Sequence, residues 1–257
     1  MCTLILAWQV FDDAPIAAAA NRDEALGRPS RPPGVLDDDP RVVAPRDDEA
    51  GGTWVGYNDA GLFVAVTNRR AGIEGERSRG LLVRDALACE SASAASSYVK
   101  NELADRQYAG FNLVVADSDE AGLLEWDGVL RTTHFDPGVH VVVNEGYNGA
   151  APKARSIRDA VHPDPLTEDT TDLQTDPTTD EERPDSGPEA SVADWFERAK
   201  AVLRDHDLGA CVHADDYGTR SSSLVAIDAD GAGRYWFADG KPCETDYEEV
   251  AVEETDR

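Results

Sequence analysis

The first 24 residues contain the stretch that decides the fold. They read Met1-Cys2-Thr3-Leu4-Ile5-Leu6-Ala7-Trp8, then a turn at Asp12-Asp13, then Pro15-Ile16-Ala17-Ala18-Ala19-Ala20 and Asn21-Arg22-Asp23-Glu24. Residues 2–9 and 15–20 are short apolar runs on either side of a turn signal, which predicts a buried pair of strands. Because antiparallel pairing sets the end of the second strand beside the start of the first, we expect Asn21–Asp23 to lie close to Cys2.

The rest of the chain continues with hairpins and two groups of helices. Further strands are predicted at Thr53–Tyr57, Leu62–Thr67, Asn112–Ala116, Gly122–Trp126, His140–Val143, Ser222–Ile227 and Arg234–Phe237. Helices are predicted within residues 79–105, split near Ser91, and at Lys153–Val161 and Val192–Arg204, whereas the Pro- and Asp-rich stretch from Arg28 to Asp48 is typical of a loop. Hairpins imply antiparallel sheets and the helices must cover them, so we expect one α+β layered domain over residues 1–257.

Two acidic segments are expected to stay outside this domain's core. Residues 162–189, approximately, are a run of Asp, Glu, Thr and Pro with hardly an apolar side chain. Such a composition does not offset the entropy of ordering, which predicts a disordered insertion. The tail after Tyr247 is also acidic and is expected to fray.

The balance of charge excludes several classes of protein. The chain has 24 Lys and Arg against 51 Asp and Glu, a formal net charge of −27. A nucleic-acid binder or a protein of anionic membrane surfaces needs a positive face, so neither is expected. An acidic surface poor in lysine is typical of a halophilic microbe, because concentrated salt screens the self-repulsion.

The location of the chain is expected to be the cytoplasm. No run of about 20 apolar residues is present to span a membrane, and the first residues lack the positive region of a signal peptide. Cys2, Cys89, Cys211 and Cys243 are scattered without CxxC spacing. This spacing indicates a reducing compartment, with neither a zinc knuckle nor a disulfide framework.

Cys2 is the position most informative about chemistry. A small side chain after the initiator permits removal of Met1, which leaves a nucleophilic thiol and a basic α-amine on one residue. The alternative is that Cys2 is a small core residue of the first strand. Arg22 and Asp23 extend the hypothesis, because an Asp can hold the amine or the thiol and an Arg favours thiolate. Their alternative role is an exposed charged turn.

Six motifs in order identify a family. They are Met1-Cys2-Thr3, Asn21-Arg22-Asp23-Glu24, Gly51-Gly52-Thr53-Trp54-Val55-Gly56, Thr67-Asn68-Arg69, Phe111-Asn112-Leu113 and Tyr217-Gly218-Thr219-Arg220-Ser221-Ser222. As a set, these motifs resemble the NRDE family, which is named for its Asn-Arg-Asp-Glu motif and includes the transport and Golgi organization protein 2 group. The resemblance runs from Met1 to about Phe237, and Ala151-Pro152-Lys153 stands where the family is expected to have Trp-Pro-Lys.

The resemblance implies a fold and a reaction. The NRDE family is similar to the cysteine branch of the N-terminal nucleophile (Ntn) hydrolases, which implies a four-layer αββα sandwich of antiparallel sheets. Carried over to this chain, the catalytic candidates are Cys2 as nucleophile, Arg22 and Asp23 as its activators, Asn68 and Asn144 as oxyanion donors, and Arg220 as a charge-holding residue. The implied activity is hydrolysis of a non-peptide C–N bond in a small-molecule amide through an acyl-thioester. The family also implies the alternative of a non-catalytic protein that binds or traffics a hydrophobic ligand, with haem as one candidate.

The remaining clusters carry weaker signals. Cys211-Val212-His213 together with His206 offers ligands for a metal or a haem, but a polar loop before a strand explains them as well. Gly51-Gly52-Thr53 lacks a following helix and is typical of a tight turn rather than an anion site. The Asp37-Asp38-Asp39 and Asp47-Asp48-Glu49 runs are expected to be solvated surface. We therefore assign no cofactor and no metal from the sequence.

Overall fold

A computed structural model describes residues 2–162 and 191–252. Its strands are β1 (Thr3–Phe11), β2 (Ala14–Ala25), β3 (Ser30–Asp38), β4 (Arg41–Asp47), β5 (Val55–Asn58), β6 (Phe63–Asn68), β7 (Phe111–Ala116), β8 (Ala121–Trp126), β9 (Leu130–His134), β10 (Gly138–Val143), β11 (Gly146–Tyr147), β12 (Tyr217–Ile227), β13 (Gly233–Ala238) and β14 (Glu248–Glu249). Its α-helices are α1 (Arg79–Ala86), α2 (Ala92–Asp105), α3 (Pro152–Val161) and α4 (Val192–Leu203).

The described strands form two seven-stranded antiparallel sheets. The first has the order β11-β10-β1-β2-β12-β13-β14, and the second follows the chain from β3 to β9. Strand β1 lies between β10 and β2, with Thr3 opposite Val143 on one side and Asn21 on the other. The start of β1 therefore meets the end of β2, as the first hairpin predicted, and also the end of β10.

Three apolar cores separate four layers. In β1, Leu4, Leu6 and Trp8 pack between the two sheets, whereas Ile5 and Ala7 on the opposite face pack under α3 and α4. A third core joins the outer face of the second sheet to α1 and α2. Because β1 is buried on both faces, its sequence is a continuous apolar run instead of an alternating one. The predicted α+β sandwich of αββα layers is confirmed.

The stretch from Arg28 to Asp48 is a β-hairpin, so the prediction of a loop there is wrong. Strand β3 lies at the edge of the second sheet and is largely exposed, which explains its polar composition. Pro32 and Pro33 are tolerated because an edge strand needs its N–H groups on one side only, and the register shifts between Arg31 and Gly34. The exposed edge strand β9 also gave no apolar signal in the sequence.

Strand β2 runs five residues beyond the end predicted for it, through Asn21-Arg22-Asp23-Glu24 to Ala25. The motif is thus part of the sheet and does not follow it. The strand continues because β12 also begins early, at Tyr217, and pairs with β2 up to Ala25. The register shifts between Thr219 and Ser221, which leaves Arg220 at an irregularity in β12.

The predicted acidic insertion lies almost wholly outside the described residues. At the other end, Glu248–Glu249 pairs with Trp236 and Phe237, so the tail is still part of the first sheet just beyond Tyr247. None of the helices in the described part of the chain is long and apolar enough to cross a membrane.

Candidate active site

Cys2 lies at the point where three strands of the first sheet meet. Its backbone nitrogen donates to Oδ1 of Asn144 at 3.0 Å, just past the end of β10. Its sulfur contacts the backbone oxygen of Asp23 in β2 at 3.8 Å. Cys2 is a partly exposed residue that lines a small cleft, although burial of its thiol raises the thiol pKa. Nitrogen and sulfur of Cys2 are therefore each held by a residue that the sequence analysis selected.

The Asp23 carboxylate is buried and held from the neighbouring strand. Its Oδ1 accepts a hydrogen bond from Thr219 Oγ1 at 2.6 Å, and its backbone oxygen accepts one from the Tyr217 hydroxyl at 2.9 Å. Burial raises the pKa of the Asp23 carboxyl, and the Thr219 hydrogen bond acts in the opposite direction. This explains the Tyr217–Thr219 part of the motif, because both residues fix Asp23 beside the thiol.

Arg22 is buried between an aromatic ring and a carboxylate. Its guanidinium carbon lies 4.2 Å from the centroid of the Trp54 ring, and Nη2 contacts Asp47 Oδ2 at 3.2 Å. Its Nη1 is buried without a hydrogen-bond partner among the described residues. A buried hydrogen-bond donor without an acceptor is energetically costly, unless a bound molecule supplies the acceptor. Arg22 is thus fixed in orientation with one donor unused.

Asp47 organises this side of the site, although sequence reasoning placed it on a solvated loop. One oxygen accepts from Arg28 Nε at 2.7 Å and from Arg22. The other accepts from the backbone N–H groups of Glu49 and Ala50, both at 3.0 Å. Burial would raise the pKa of Asp47, but the bonds from Arg28 and Ala50 outweigh it and the pKa is lowered. Asp47 ends β4, a strand that the sequence analysis took as part of a loop.

A cleft of about 100 Å³ opens at Cys2. Besides Cys2 itself, its polar lining comprises Arg22, Asp23, Glu24, Arg28, Asp47, Thr53, Asn68, Ser78 and Arg79. The first residues of helix α1 form one wall, with Ser78 as the N-cap. A helix N-terminus adds partial positive charge to that of the three arginines. The cleft is therefore mainly polar, with three arginines and with Trp54 and Val66 as its apolar part.

Arg79 is a second residue that the sequence analysis missed. It begins α1, and its Nη1 donates to the Gly110 oxygen at 2.8 Å. Burial lowers the pKa of Arg79, while the negative charge of a Cys2 thiolate would raise it. Arg79 is placed to interact with a thiolate or with an anionic group of a ligand.

Of the predicted site residues Asn68 and Arg220, Asn68 lines the cleft and Arg220 does not. Asn68 ends β6 and lines the cleft, as expected of an oxyanion donor. Arg220 instead donates to the backbone oxygens of Leu26 and Arg28, and it is absent from the cleft lining. It supports the segment that carries Arg28, so it is a positioning residue and not a direct contact of Cys2.

Asn144 is held by a connection between the two sheets. The side-chain nitrogen of Asn112, in β7, donates to the Val143 oxygen at 2.9 Å and to Thr67 Oγ1 at 3.1 Å. These bonds fix the backbone directly before Asn144. The Thr67 and Asn112 motifs therefore act on the site through the strand end that holds the Cys2 nitrogen.

The glycine motif serves close packing at the same site. A Cβ on Gly52 would lie 2.1 Å from the backbone carbon of Gly80, and the Thr53 N–H donates to the Gly80 oxygen at 3.0 Å. Only glycine permits the first turn of α1 to approach this closely. The sequence predicted only a tight turn at Gly51-Gly52-Thr53 and did not predict its contact with α1.

The resting thiol is expected to be protonated at neutral pH. Burial raises the pKa of Cys2, and the nearby Asp23 carboxylate raises it further. Alkylation by iodoacetamide, followed by peptide mass analysis, should therefore still accelerate above the ordinary thiol pKa of about 8.5. Asp23→Asn removes a negative charge and should speed alkylation of Cys2 at pH 8, with Cys89 as the internal reference. A wild-type profile that levels off below pH 8 would contradict the expectation.

Comparison of the chain with known protein families agrees with the motifs in its sequence. A family model described as Transport and Golgi organisation 2 matches residues 1–238. The chain belongs to the Transport and Golgi organisation 2 family. Among similar members, the Bos taurus Transport and Golgi organization protein 2 homolog is 28% identical over 259 residues, which cover 86% of this chain and 87% of the relative. The Homo sapiens homolog is 26% identical over 252 residues, with the same shares covered.

This member of the Transport and Golgi organisation 2 family shares its fold with Ntn-type acylases. A Caenorhabditis elegans ortholog of N-acylethanolamine-hydrolyzing acid amidase superposes with a TM-score of 0.54 at 11% identity, covering 90% of this chain and 94% of the other. Penicillin V acylase from Agrobacterium tumefaciens gives 0.52 at 14% identity, covering 93% and 83%. At these identities the likeness establishes the fold alone. The resemblance inferred from the motifs is confirmed for both family and fold.

Proposed function

We propose that this protein hydrolyses the C–N bond of a non-peptide amide, with Cys2 as the nucleophile after removal of Met1. The observation that carries the proposal is the environment of Cys2. Its nitrogen is held by Asn144 at 3.0 Å and its sulfur lies at Asp23, at the mouth of a polar cleft. A sulfur packed into the apolar core would have supported the structural alternative instead.

The first half of the reaction forms an acyl-thioester. The Cys2 sulfur attacks the amide carbonyl carbon, and the thiol proton passes to the α-amine of the same residue. Because the pKa of the buried thiol is raised, this base is needed to generate the nucleophile. The C–N bond then breaks, the leaving nitrogen takes the proton from the amine, and the acyl group stays on sulfur.

The second half releases the acid. Water attacks the thioester carbon, and the amine accepts a proton from it and returns one to the departing sulfur. The products are a carboxylic acid and an amine, so no oxidant, reductant or metal is required for balance. In both halves Asn144 holds the amine, because Asn144 Oδ1 accepts from the Cys2 nitrogen.

The charge that develops on the carbonyl oxygen needs donors that are already in place. Asn68 and the buried Nη1 of Arg22 are the candidates on the cleft wall. Arg22 cannot turn away easily, since Trp54 and Asp47 fix its plane. Donors fixed before the reaction stabilise an oxyanion without reorganisation, which is the usual main term in acyl transfer.

The cleft gives no corresponding support to the hydrophobic-ligand alternative. Sites for drug-sized apolar ligands have volumes of about 300–1,000 Å³ and mostly apolar walls. The cleft at Cys2 measures about 100 Å³ and is lined mainly by charged and polar side chains. A small amide whose polar end faces these groups fits this chemistry better than haem or a lipid.

The experiment tests the role of the Cys2 thiol and the role of the Cys2 α-amine separately. We expect intact mass analysis of the full chain to show loss of Met1, and acid quenching during turnover of an N-acyl amide panel to show an acyl adduct on Cys2. A second preparation carries a cleavable tag directly before Cys2, which keeps the thiol but blocks the amine. Hydrolysis should appear only after cleavage. Retention of Met1 in fully active protein, or equal rates with the tag in place, would refute the mechanism.

A further inference from the structure

A cluster of four potential metal ligands lies away from the Cys2 cleft. His206 and Cys211 follow α4, His213 precedes β12, and Cys243 comes after β13. One side-chain ligand atom from each residue lies within 4.8 Å of the corresponding atoms of the other three. The sequence analysis assigned no metal here, because a polar loop before a strand also explains His206, Cys211 and His213, and it did not connect Cys243 with them.

We propose that His206, Cys211, His213 and Cys243 bind one tetrahedral divalent cation, with Zn²⁺ as the best match. Two thiolates and two imidazoles are a ligand set that zinc prefers in structural sites, and a tetrahedral arrangement of two sulfurs and two nitrogens is typical of zinc. Four protein ligands leave no open position for a substrate. The site is therefore structural and independent of the proposed hydrolysis.

The distances agree with tetrahedral geometry. With metal–nitrogen and metal–sulfur bonds of about 2.0 and 2.3 Å, neighbouring ligand atoms should be separated by about 3.3–3.8 Å. The Cys211 and Cys243 sulfurs are 3.5 Å apart, and His213 Nε2 lies 3.5 Å from the first and 3.2 Å from the second. Three of the four corners are thus already in place. The exposed His206 ring lies 4.7 Å from the His213 ring, centroid to centroid, and its ligand atom lies within 4.8 Å of the other three, so it must move closer when the ion binds.

The segments that carry the ligands are rigidly held. The backbone N–H of Cys211 donates to the Asp205 oxygen at 3.0 Å, which closes the loop between His206 and Cys211. Arg204 Nε donates to the Pro242 oxygen at 2.9 Å, which holds the residue before Cys243 against the end of α4. These contacts bring the second thiol to the first without help from an ion, so the site is preorganised.

An outer carboxylate is also in place. While Nε2 of His213 faces the two sulfurs, its Nδ1 faces Glu244 Oε1 at 3.9 Å. A carboxylate that accepts from the Nδ1 of a ligating imidazole fixes the tautomer that leaves Nε2 free to bind metal, and Glu244 would serve in this way once it moves within hydrogen-bond distance. The competing interpretation, a Cys211–Cys243 disulfide, gives the two imidazoles no role.

The ion would connect the C-terminal segment to the strand that supports Asp23. The N–H of Val212, between two ligands, donates to Thr219 Oγ1 at 2.9 Å, and the Thr219 hydroxyl donates to Asp23. In addition, the Asn21 amide donates to the oxygens of Leu203 and Ala210 at 2.8 Å each. Binding of the ion should therefore raise the unfolding temperature of the chain.

The experiment uses the reduced, full-length protein. We expect about one Zn²⁺ per chain by elemental mass spectrometry after purification without chelator, and thiolate-to-metal charge-transfer bands when Co²⁺ is added to the metal-free protein. Cys243→Ser and His213→Ala should each weaken Co²⁺ affinity at least about tenfold, because even loss of an outer partner costs that much. His213 is exposed, so its variant is expected to fold.

Two cysteine variants serve as controls. Cys89→Ser and Cys2→Ser remove thiols outside the cluster and should keep both the bands and the rise in unfolding temperature with Zn²⁺. Co²⁺ affinity unchanged in Cys243→Ser and His213→Ala would overturn the proposal. So would a Cys211–Cys243 disulfide in the purified protein combined with no metal binding after reduction.

Discussion

Cys2→Ala is expected to lower kcat/KM for amide hydrolysis by about 10³-fold or more, while the fold and the unfolding temperature change little. The reason is that the sulfur forms the bond to the acyl group, and removal of a covalent nucleophile leaves only binding and oxyanion stabilisation. The variant keeps the nitrogen that donates to Asn144, so any loss belongs to the sulfur. Steady-state rates with an N-acyl amide identified from the panel provide the measurement.

Cys89→Ser is the matched control for this loss. Cys89 is also a partly buried free thiol, but it lies beyond the end of α1 and is absent from the cleft lining. Its substitution should leave kcat/KM within about twofold of the wild type, which is the ordinary scatter for a substitution away from the reacting atoms. Hydrolysis that survives in Cys2→Ala and falls in Cys89→Ser would refute the assignment of the nucleophile.

Asp47→Asn is expected to destabilise the protein by about 3 kcal/mol at neutral pH. Asp47 accepts from Arg22, Arg28 and two backbone N–H groups, and its side chain is only 11% exposed. Removal of one partner from a buried ion pair costs about 3–5 kcal/mol, because the other charge stays buried. The free energy of unfolding from urea denaturation measures the change. Hydrolysis should fall too, since Arg22 loses its anchor.

The pH dependence of this effect has a definite sign. Because the pKa of Asp47 is lowered in the folded state, its stabilisation is fully present above the unfolded-state value of about 3.9 and is lost as pH falls through the folded-state pKa. The difference between wild type and Asp47→Asn should therefore be constant from pH 7 to about 5 and shrink below about 4.

The neighbouring Asp48→Asn is the matched control. Asp48 pairs with Arg31, whose side chain is 68% exposed, so its loss should cost less than about 1 kcal/mol. Equal destabilisation by the two variants would contradict the role of Asp47 as the anchor of Arg22. A difference that grows as the pH falls below 4 would contradict the sign of the shift.

Sequence reasoning reached the pairing of Cys2 with Asn21–Asp23 because that pairing is local. The two apolar runs and the turn between them fix which strand ends meet, whatever the rest of the chain does. The observed register, with Thr3 opposite Asn21, follows from these residues. Asn68 lines the cleft and Asn144 accepts from the Cys2 nitrogen through its side-chain oxygen, while the predicted role of both as oxyanion donors stays a prediction.

Sequence reasoning failed where a strand's stability comes from its neighbours. Strands β3 and β9 are exposed edge strands, so neither has the apolar alternation that marks a half-buried strand. Without β3 and β4 there was no reason to place Asp47 beside Arg22. Arg220 lies at the irregularity between Thr219 and Ser221 and donates to the β2–β3 connection, a position that the sequence alone does not predict.

The amino-acid sequence by itself determined the central hairpin, a layered α+β domain of antiparallel strands and helices, and the presence of a thiol next to Arg22 and Asp23. Only the tertiary structure decided which distant groups meet: Asp47 with Arg22, Arg79 with the cleft, and Cys243 with the two histidines and Cys211. The physical reason is that local patterns encode burial and pairing along one strand. Contacts between sheets and between loop ends depend instead on how all the layers pack together.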